Sequence, residues 1–195
     1  MNINNTIKVW DLPVRIFHWL LVVAFSIAFI TEDDFLSIHV WAGYFIAGLL
    51  VFRLLWGFIG GEYARFSNFL CSPSDSVAYL KNMFLDKPKR YIGHNPAGSA
   101  MIIFLLVSLI ITTVTGFAVY GAEENAGPLS SIGMQNEELW EETHEFFANA
   151  VLLLVIIHII GVIFESFQHK ENLVKSMING YKRNIDNNNS SNTGE

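Results

Sequence analysis

Cysteine is nearly absent: Cys71 is the only one in 195 residues. A single thiol excludes a disulfide framework, a cysteine-rich zinc site and an iron–sulfur cluster held by four thiolates. No C-x-x-C-H run occurs, so a covalently attached c-type haem is excluded as well. Charge is also scarce, at 15% of residues against 52% hydrophobic ones, with a mean hydropathy of +0.37. That is too apolar for an ordinary soluble domain of this length. The start, MNINNTIKVWDLP, lacks the basic residues, apolar run and small-residue cleavage site of a signal peptide. A glycine-rich phosphate loop, a Ser or Cys catalytic triad and a basic surface for nucleic acid are missing too, so no nucleic-acid partner is expected.

What the chain does contain is four long apolar runs, at about 14–30, 36–59, 98–120 and 140–167. Each approaches the ~20 residues that a helix needs to cross ~30 Å of hydrocarbon. Asp11 is placed to cap the first helix, with Pro13 in its opening turn. Between the second and third runs, Ser72-Pro73 followed by SDSVAYLKNMFL predicts a short capped amphipathic helix at the membrane surface. The end, NIDNNNSSNTGE, has the composition of a disordered tail. The predicted fold is therefore an all-α membrane protein. Residues 7–183 form a four-transmembrane-helix bundle with a short cytoplasmic interfacial helix, and 184–195 form a disordered C-terminal tail. The partner this composition demands first is membrane lipid.

Charge distribution orients the bundle. Apart from Arg15 and Arg53, every Lys and Arg lies before the first run, between the second and third, or after the fourth. The two remaining loops carry only acidic charge, including Glu32, Asp33 and Asp34 in one and Glu123, Glu124, Glu137 and Glu138 in the other. The positive-inside rule then places both termini in the cytoplasm.

Depth can now be assigned to the histidines. His144 and His158 are fourteen residues apart on the last run. At ~100° and ~1.5 Å per residue they share one helix face and lie ~21 Å apart along its axis. The first helix runs outward, which puts His18 near the cytoplasmic side. The second runs inward, which puts His39 near the outer side. Levels match in pairs, His39 with His144 and His18 with His158. Two trans-helix imidazole pairs at two depths are what two bis-histidine b-type haems require, one ligand on either side of each ring. Small residues sit about one turn from three of these ligands, where a macrocycle packs closely: Gly43 after His39, Ala148 after His144 and Gly161 after His158. Arg53 repeats the fourteen-residue interval after His39, at the level of the inner haem, where propionates would balance a buried guanidinium. Arg15 is a second candidate for those carboxylates.

Taken singly, each of these residues has a plainer explanation. A lone histidine in a helix is commonly a hydrogen-bonded core residue, and small residues in membrane helices commonly serve helix packing. Arg53 would then only snorkel to the interface. Depth-matched pairs are much harder to obtain by accident, and they carry the inference. His94 falls outside the pattern as a polar interface residue, with a quinone or propionate contact as the alternative. His169 reads as a surface residue and Cys71 as a bystander.

The runs KVWDLPVRIFHWLLV, HVWAGYFIAGLLVFRLLWGFIG and GHNPAG, with the HE...H pattern of the last helix, resemble the bacterial cytochrome b561 family. That family includes the b-type subunit of nickel–iron hydrogenases and related formate dehydrogenase subunits. The resemblance implies a bacterial inner-membrane, multi-pass cytochrome with two non-covalent haem b groups. His18, His39, His144 and His158 would be their axial iron ligands. It further implies electron transfer between membrane quinone and a redox partner protein, either a c-type cytochrome or a hydrogenase or dehydrogenase subunit. The alternative within the same chemistry is a stand-alone haem oxidoreductase that passes electrons from a small molecule such as superoxide to quinone. A transporter or assembly scaffold with structural histidines is the third reading, and it predicts no haem.

Overall fold

The computed structural model describes residues 6–32, 34–85, 89–133 and 136–184. In chain order the elements are β1 (Thr6–Lys8), α1 (Leu12–Ile30), α2 (Leu36–Ile59), α3 (Phe66–Phe69), α4 (Pro73–Leu85), α5 (Pro96–Glu123), α6 (Ser130–Gly133), α7 (Glu137–Gln168), α8 (Leu173–Asn179) and β2 (Tyr181–Arg183). Four of these, α1, α2, α5 and α7, are long and apolar enough to cross a membrane. Only 6% of the apolar window of α7 and 17% of that of α1 is buried against protein. Outward faces bearing Val23, Phe58, Phe104 and Ile160 call for hydrocarbon as their solvent. Two of the helices extend past the apolar runs through their capping turns. In α5, Asn95 Oδ1 accepts the Gly98 N–H at 2.7 Å, and Pro96 takes the first position, where a missing N–H costs nothing. In α7, Glu137 and Glu138 occupy the first turn, where the helix dipole favours negative charge.

The chain divides into two compact units. The first comprises Met1–Ile16, Trp56–Ala100 and His158–Glu195. In it β1 and β2 pair antiparallel, with Thr6 opposite Arg183, Ile7 opposite Lys182 and Lys8 opposite Tyr181. The Val9 and Trp10 N–H groups continue the contact by donating to the Gly180 carbonyl at 2.8 and 3.1 Å. Gly180 caps α8 with φ at 88°, and a Cβ there would meet the Trp10 carbonyl oxygen at 2.7 Å. Both facts require glycine. Asp11 accepts from the Val14 N–H at 2.9 Å, capping α1, and its second oxygen accepts from Trp56 Nε1 at 3.0 Å and the Gly61 N–H at 3.2 Å.

Ion pairs complete this unit. Arg90 meets Glu171 at 2.7 Å and also donates to the Arg183 carbonyl, while the Arg183 N–H donates to Glu171. Burial alone would raise the Glu171 carboxyl, but the Arg183 N–H and the Arg90 guanidinium outweigh it and hold the group below the usual carboxylate range. Burial lowers the Lys182 ammonium, which donates to the Gly93 carbonyl and lies over the Trp10 ring at 5.6 Å. Because β1 precedes the first candidate span and β2 follows the fourth, their pairing requires an even number of membrane crossings between them. The segment between α2 and α5 is tied to the same ribbon through Arg90 and Gly93. These three segments hold every Lys and Arg outside α1 and α2.

The two-stranded ribbon was not foreseen from sequence, since three residues are too few for an alternating pattern to register. In α4 the Ser72 Oγ accepts the Asp75 N–H at 3.2 Å, and Asp75 Oδ2 accepts the Ser72 N–H at 3.3 Å, a reciprocal cap. The disordered tail expected over 184–195 lies outside the described residues, except for Asn184.

The second unit comprises Phe17–Leu55 and Met101–Ile157. Its buried side chains are mostly aliphatic: Ala24, Ile46, Leu50, Leu106, Leu109 and Val151. Tyr44 and Phe117 stack with ring centres 4.9 Å apart. Hydroxyls in α5 return their protons to the helix, with Thr112 donating to Ser108 O and Thr115 to Ile111 O, both at 2.9 Å. Polar atoms are thereby satisfied without water.

Candidate functional site

The second unit brings His39 of α2 and His144 of α7 side by side. Their ring centres are 6.1 Å apart and the planes are nearly perpendicular, at 85°. Each ring is held from behind by the backbone of a different helix. His39 Nδ1 lies 2.9 Å from the Ala28 carbonyl oxygen of α1, and His144 Nδ1 lies 2.9 Å from the Thr112 carbonyl oxygen of α5. A carbonyl only accepts, so each Nδ1 must carry the proton and each Nε2 keeps its lone pair. Thr115 Oγ1 stands 3.3 Å from His144 Nδ1 as a further support. A metal-binding histidine is commonly fixed in this way, with its far nitrogen left as the ligand.

The two rings line a cavity together with Gly43, Gly116 and Ala148, closed by the aromatic side chains of Phe25, Phe29 and Phe117. The cavity volume is about 80 Å³, within about 690 Å³ of empty space that includes open solvent. Gly43 faces open space, since a Cβ there would meet nothing within 4 Å. Gly116 has the opposite role: a Cβ would come within 2.8 Å of His144 Cε1, so only glycine lets that ring approach α5. Sequence reasoning missed Gly116, whose sole signal was a small residue in a threonine-rich stretch of α5.

The donor set suits a transition metal that takes two neutral imidazoles. With both Nδ1 atoms bonded to carbonyls and the ring centres 6.1 Å apart, His39 and His144 are the residues that would hold it. Among the described residues no group of three or more His, Cys, Asp or Glu is placed to hold a metal ion, which leaves paired imidazoles as the feature of interest.

The other predicted residues are placed as follows. His18 is in the second unit, half-buried, with Trp19 edge-on at 5.1 Å between ring centres. His158 is half-buried in the first unit. Arg53 is 4% exposed in the second unit, deeper than interfacial snorkelling requires. Arg15, in the first unit, donates to the Ile178 carbonyl at the end of α8, and its buried Nε has no partner among the described residues. His94 sits between Trp10 and Phe69, with ring centres 4.6 and 4.8 Å away. His169, expected at the surface, is instead largely covered and pairs with Glu165 at 3.1 Å. Cys71 Sγ donates to the Pro96 carbonyl at 3.6 Å.

Four apolar spans and a facing imidazole pair define a helical membrane protein of the cytochrome b class. Comparison with known proteins gives the family. Residues 9–180 match the family described as prokaryotic cytochrome b561, and the chain belongs to it. The protein named probable Ni/Fe-hydrogenase B-type cytochrome subunit in Rhodobacter capsulatus is 26% identical over 217 residues, covering 92% of this chain and 82% of its own. The protein of the same name in Azotobacter vinelandii is 25% identical, over 92% of this chain and 89% of its own. The probable Ni/Fe-hydrogenase 1 B-type cytochrome subunit of Escherichia coli K12 is 22% identical, over 89% of each chain. No solved structure matches the chain. As a b-type cytochrome the protein takes haem b and serves membrane electron transfer.

Proposed function

We propose that the protein is a di-haem subunit that carries electrons between a redox partner protein and quinone, with its termini in the cytoplasm. His39 and His144 would hold the outer haem, and His18 and His158 the inner one. The observation that carries this reading is the His39–His144 pair, 6.1 Å apart and anchored at both Nδ1 atoms by backbone carbonyls. A bound haem supplies reversible one-electron chemistry at its iron. The chain's own residues supply the rest. Ala28 and Thr112 fix the tautomer, Gly43 and Ala148 leave room beside the ligands, and the aromatic walls keep water away. Arg53 and Arg15 are proposed as the cationic partners of the inner propionates. The partner protein is inferred from the names of the relatives, which place their counterparts with nickel–iron hydrogenases. Acidic residues around the end of α5 and the start of α7, Glu123, Glu124, Glu137 and Glu138, favour a basic patch on that partner. The cytoplasmic orientation rests on the clustering of Lys and Arg in the three segments of the first unit.

The test is haem stoichiometry. Purified protein in detergent should carry two b haems per chain, and its reduced spectrum should reoxidise on adding a quinone analogue. Folded protein without haem would overturn the reading. Turnover of a small-molecule donor by the purified chain alone would favour the stand-alone oxidoreductase instead.

A further inference from the structure

The end of α7 carries a second cluster of titratable groups, which ligand binding does not use. Tyr79 of α4 is 6% exposed and donates from Oη to Glu165 Oε1 at 2.8 Å. The other carboxylate oxygen, Oε2, lies 3.1 Å from His169 Nε2. The Asn95 side chain acts on the Tyr79 phenol in the opposite sense to Glu165. All four residues belong to the first unit. The side chains of His169 and Glu165 reach solvent at 15% and 13%, so protons can exchange from that end.

Glu165 differs in kind from its neighbour Glu171. The latter is fixed by a guanidinium and a backbone N–H, neither of which titrates near neutral pH. Glu165 instead meets a phenol and an imidazole, with Tyr79 Oη donating to one carboxylate oxygen and His169 Nε2 lying beside the other. Burial, followed by the contact with Glu165, raises the Tyr79 phenol far above its usual range, so Tyr79 remains a neutral donor throughout. Around the pair, β2 contributes the Lys182 ammonium, itself set between Glu171 and Arg90, and the segment before α5 contributes Tyr91, whose ring lies 5.8 Å from that of Tyr79. Glu165 follows His158 by seven residues in the same unit. Seven residues are two turns less ~20°, which places both on one helix face, ~10.5 Å apart along the axis.

We propose that Tyr79, Glu165 and His169 form a proton-exchange site linked to the inner haem. The inference rests on the proposed role of His158 as a ligand of that haem. A haem held by His158 would supply one-electron chemistry, with its electron coming from the quinol or redox partner. The Glu165–His169 pair would take one proton from water through His169 for each electron gained, and net charge is conserved. On reoxidation the electron leaves to the acceptor and the proton returns to water. Tyr79 is a positioning residue: its O–H holds the carboxylate in place. The driving force is electrostatic, because a charge added at the iron is screened little across an apolar helix bundle.

The test uses the purified haem-loaded protein. Midpoint potentials of both haems are measured across pH, together with infrared spectra of the oxidised protein over the same range. One haem's midpoint should fall as pH rises. Glu165→Gln should remove most of that slope and leave the other haem's slope alone. Tyr79→Phe should move the dependence to higher pH, since a donor to the carboxylate is lost. The infrared titration should show a carboxyl band that is absent in Glu165→Gln and moved to higher pH in Tyr79→Phe, whether or not electrons flow. Protein with two haems in which Glu165→Gln keeps the wild-type slope would overturn the proton site and leave the di-haem reading intact. Folded protein that lacks the inner haem would overturn the ligand assignment, and the link to that haem with it.

Discussion

The two units use polar groups in opposite ways. In the first, charged side chains and loop carbonyls bond to one another: Arg90 to Glu171, Arg183 to His169 and Glu171, Lys182 to Gly93, and Asp11 to three donors. In the second, hydroxyls turn back onto their own helices, and the imidazoles of His39 and His144 are held on one edge only. A region whose hydrogen bonds close on themselves is a fastening. A region that fixes its donors and turns two imidazoles toward a cavity is shaped to receive a ligand. The same apolar solvent that makes an unpaired charge costly makes those imidazoles effective ligands.

Substitutions can break this contrast, beginning with the largest effect. His39→Ala or His144→Ala should remove one of two haems, halving haem per chain in the visible spectrum, while the fold persists. Retention of both haems would refute the assignment. Gly116→Val should act in the same direction more weakly. The new side chain displaces the His144 ring, and outer-haem occupancy should fall severalfold while the inner haem is unchanged. In the other unit, Arg90→Ala leaves the Glu171 carboxylate without its guanidinium. A loss of about 3 kcal/mol is expected, seen as a lower thermal midpoint with an unaltered haem spectrum.

The pH dependence of that fastening follows from Glu171, whose folded value is depressed below the ordinary 4.5. Such a group contributes stability that is fully present above about 4.5 and lost as pH falls through its lower folded value. Thermal midpoints should therefore drop on acidification below that point, and Glu171→Gln should flatten the drop. The smallest change is expected from Cys71→Ser, within about 0.5 kcal/mol, because its thiol makes only weak contacts with Ser76 and Pro96.

Much of the second unit was legible in the sequence. Histidine spacing and the alternation of span direction were enough to pair His39 with His144, and Gly43 lines the same cavity. Gly116 was not legible, because its role depends on how closely a ring on α7 approaches α5, and no local pattern encodes that distance. The fastening of the first unit was legible only as charge. Sequence located Lys and Arg in three segments but could not join them, since the joints are single bonds between residues far apart in the chain. Arg15 shows the limit most clearly. A cation near the inner level suggested a carboxylate partner, yet its hydrogen bond is to a helix-end carbonyl at Ile178. His169 was misplaced for a similar reason, because its cover comes from Glu165 one turn back and from a strand that the sequence did not announce.

The pairing of β1 with β2 also bears on how the chain is made. The first strand leaves the ribosome early and has no partner until Arg183 emerges, after all four candidate spans have been synthesised. Closing so long a loop contributes little to early folding and is entropically costly until the helices have brought its ends together. The ribbon is thus a late step of biogenesis, and it forms only if an even number of spans has crossed. A span that fails to insert would strand the two edges on opposite sides of the bilayer and leave the Arg90–Glu171 fastening open. In that respect three short residues at each end act as a check on the topology of everything between them.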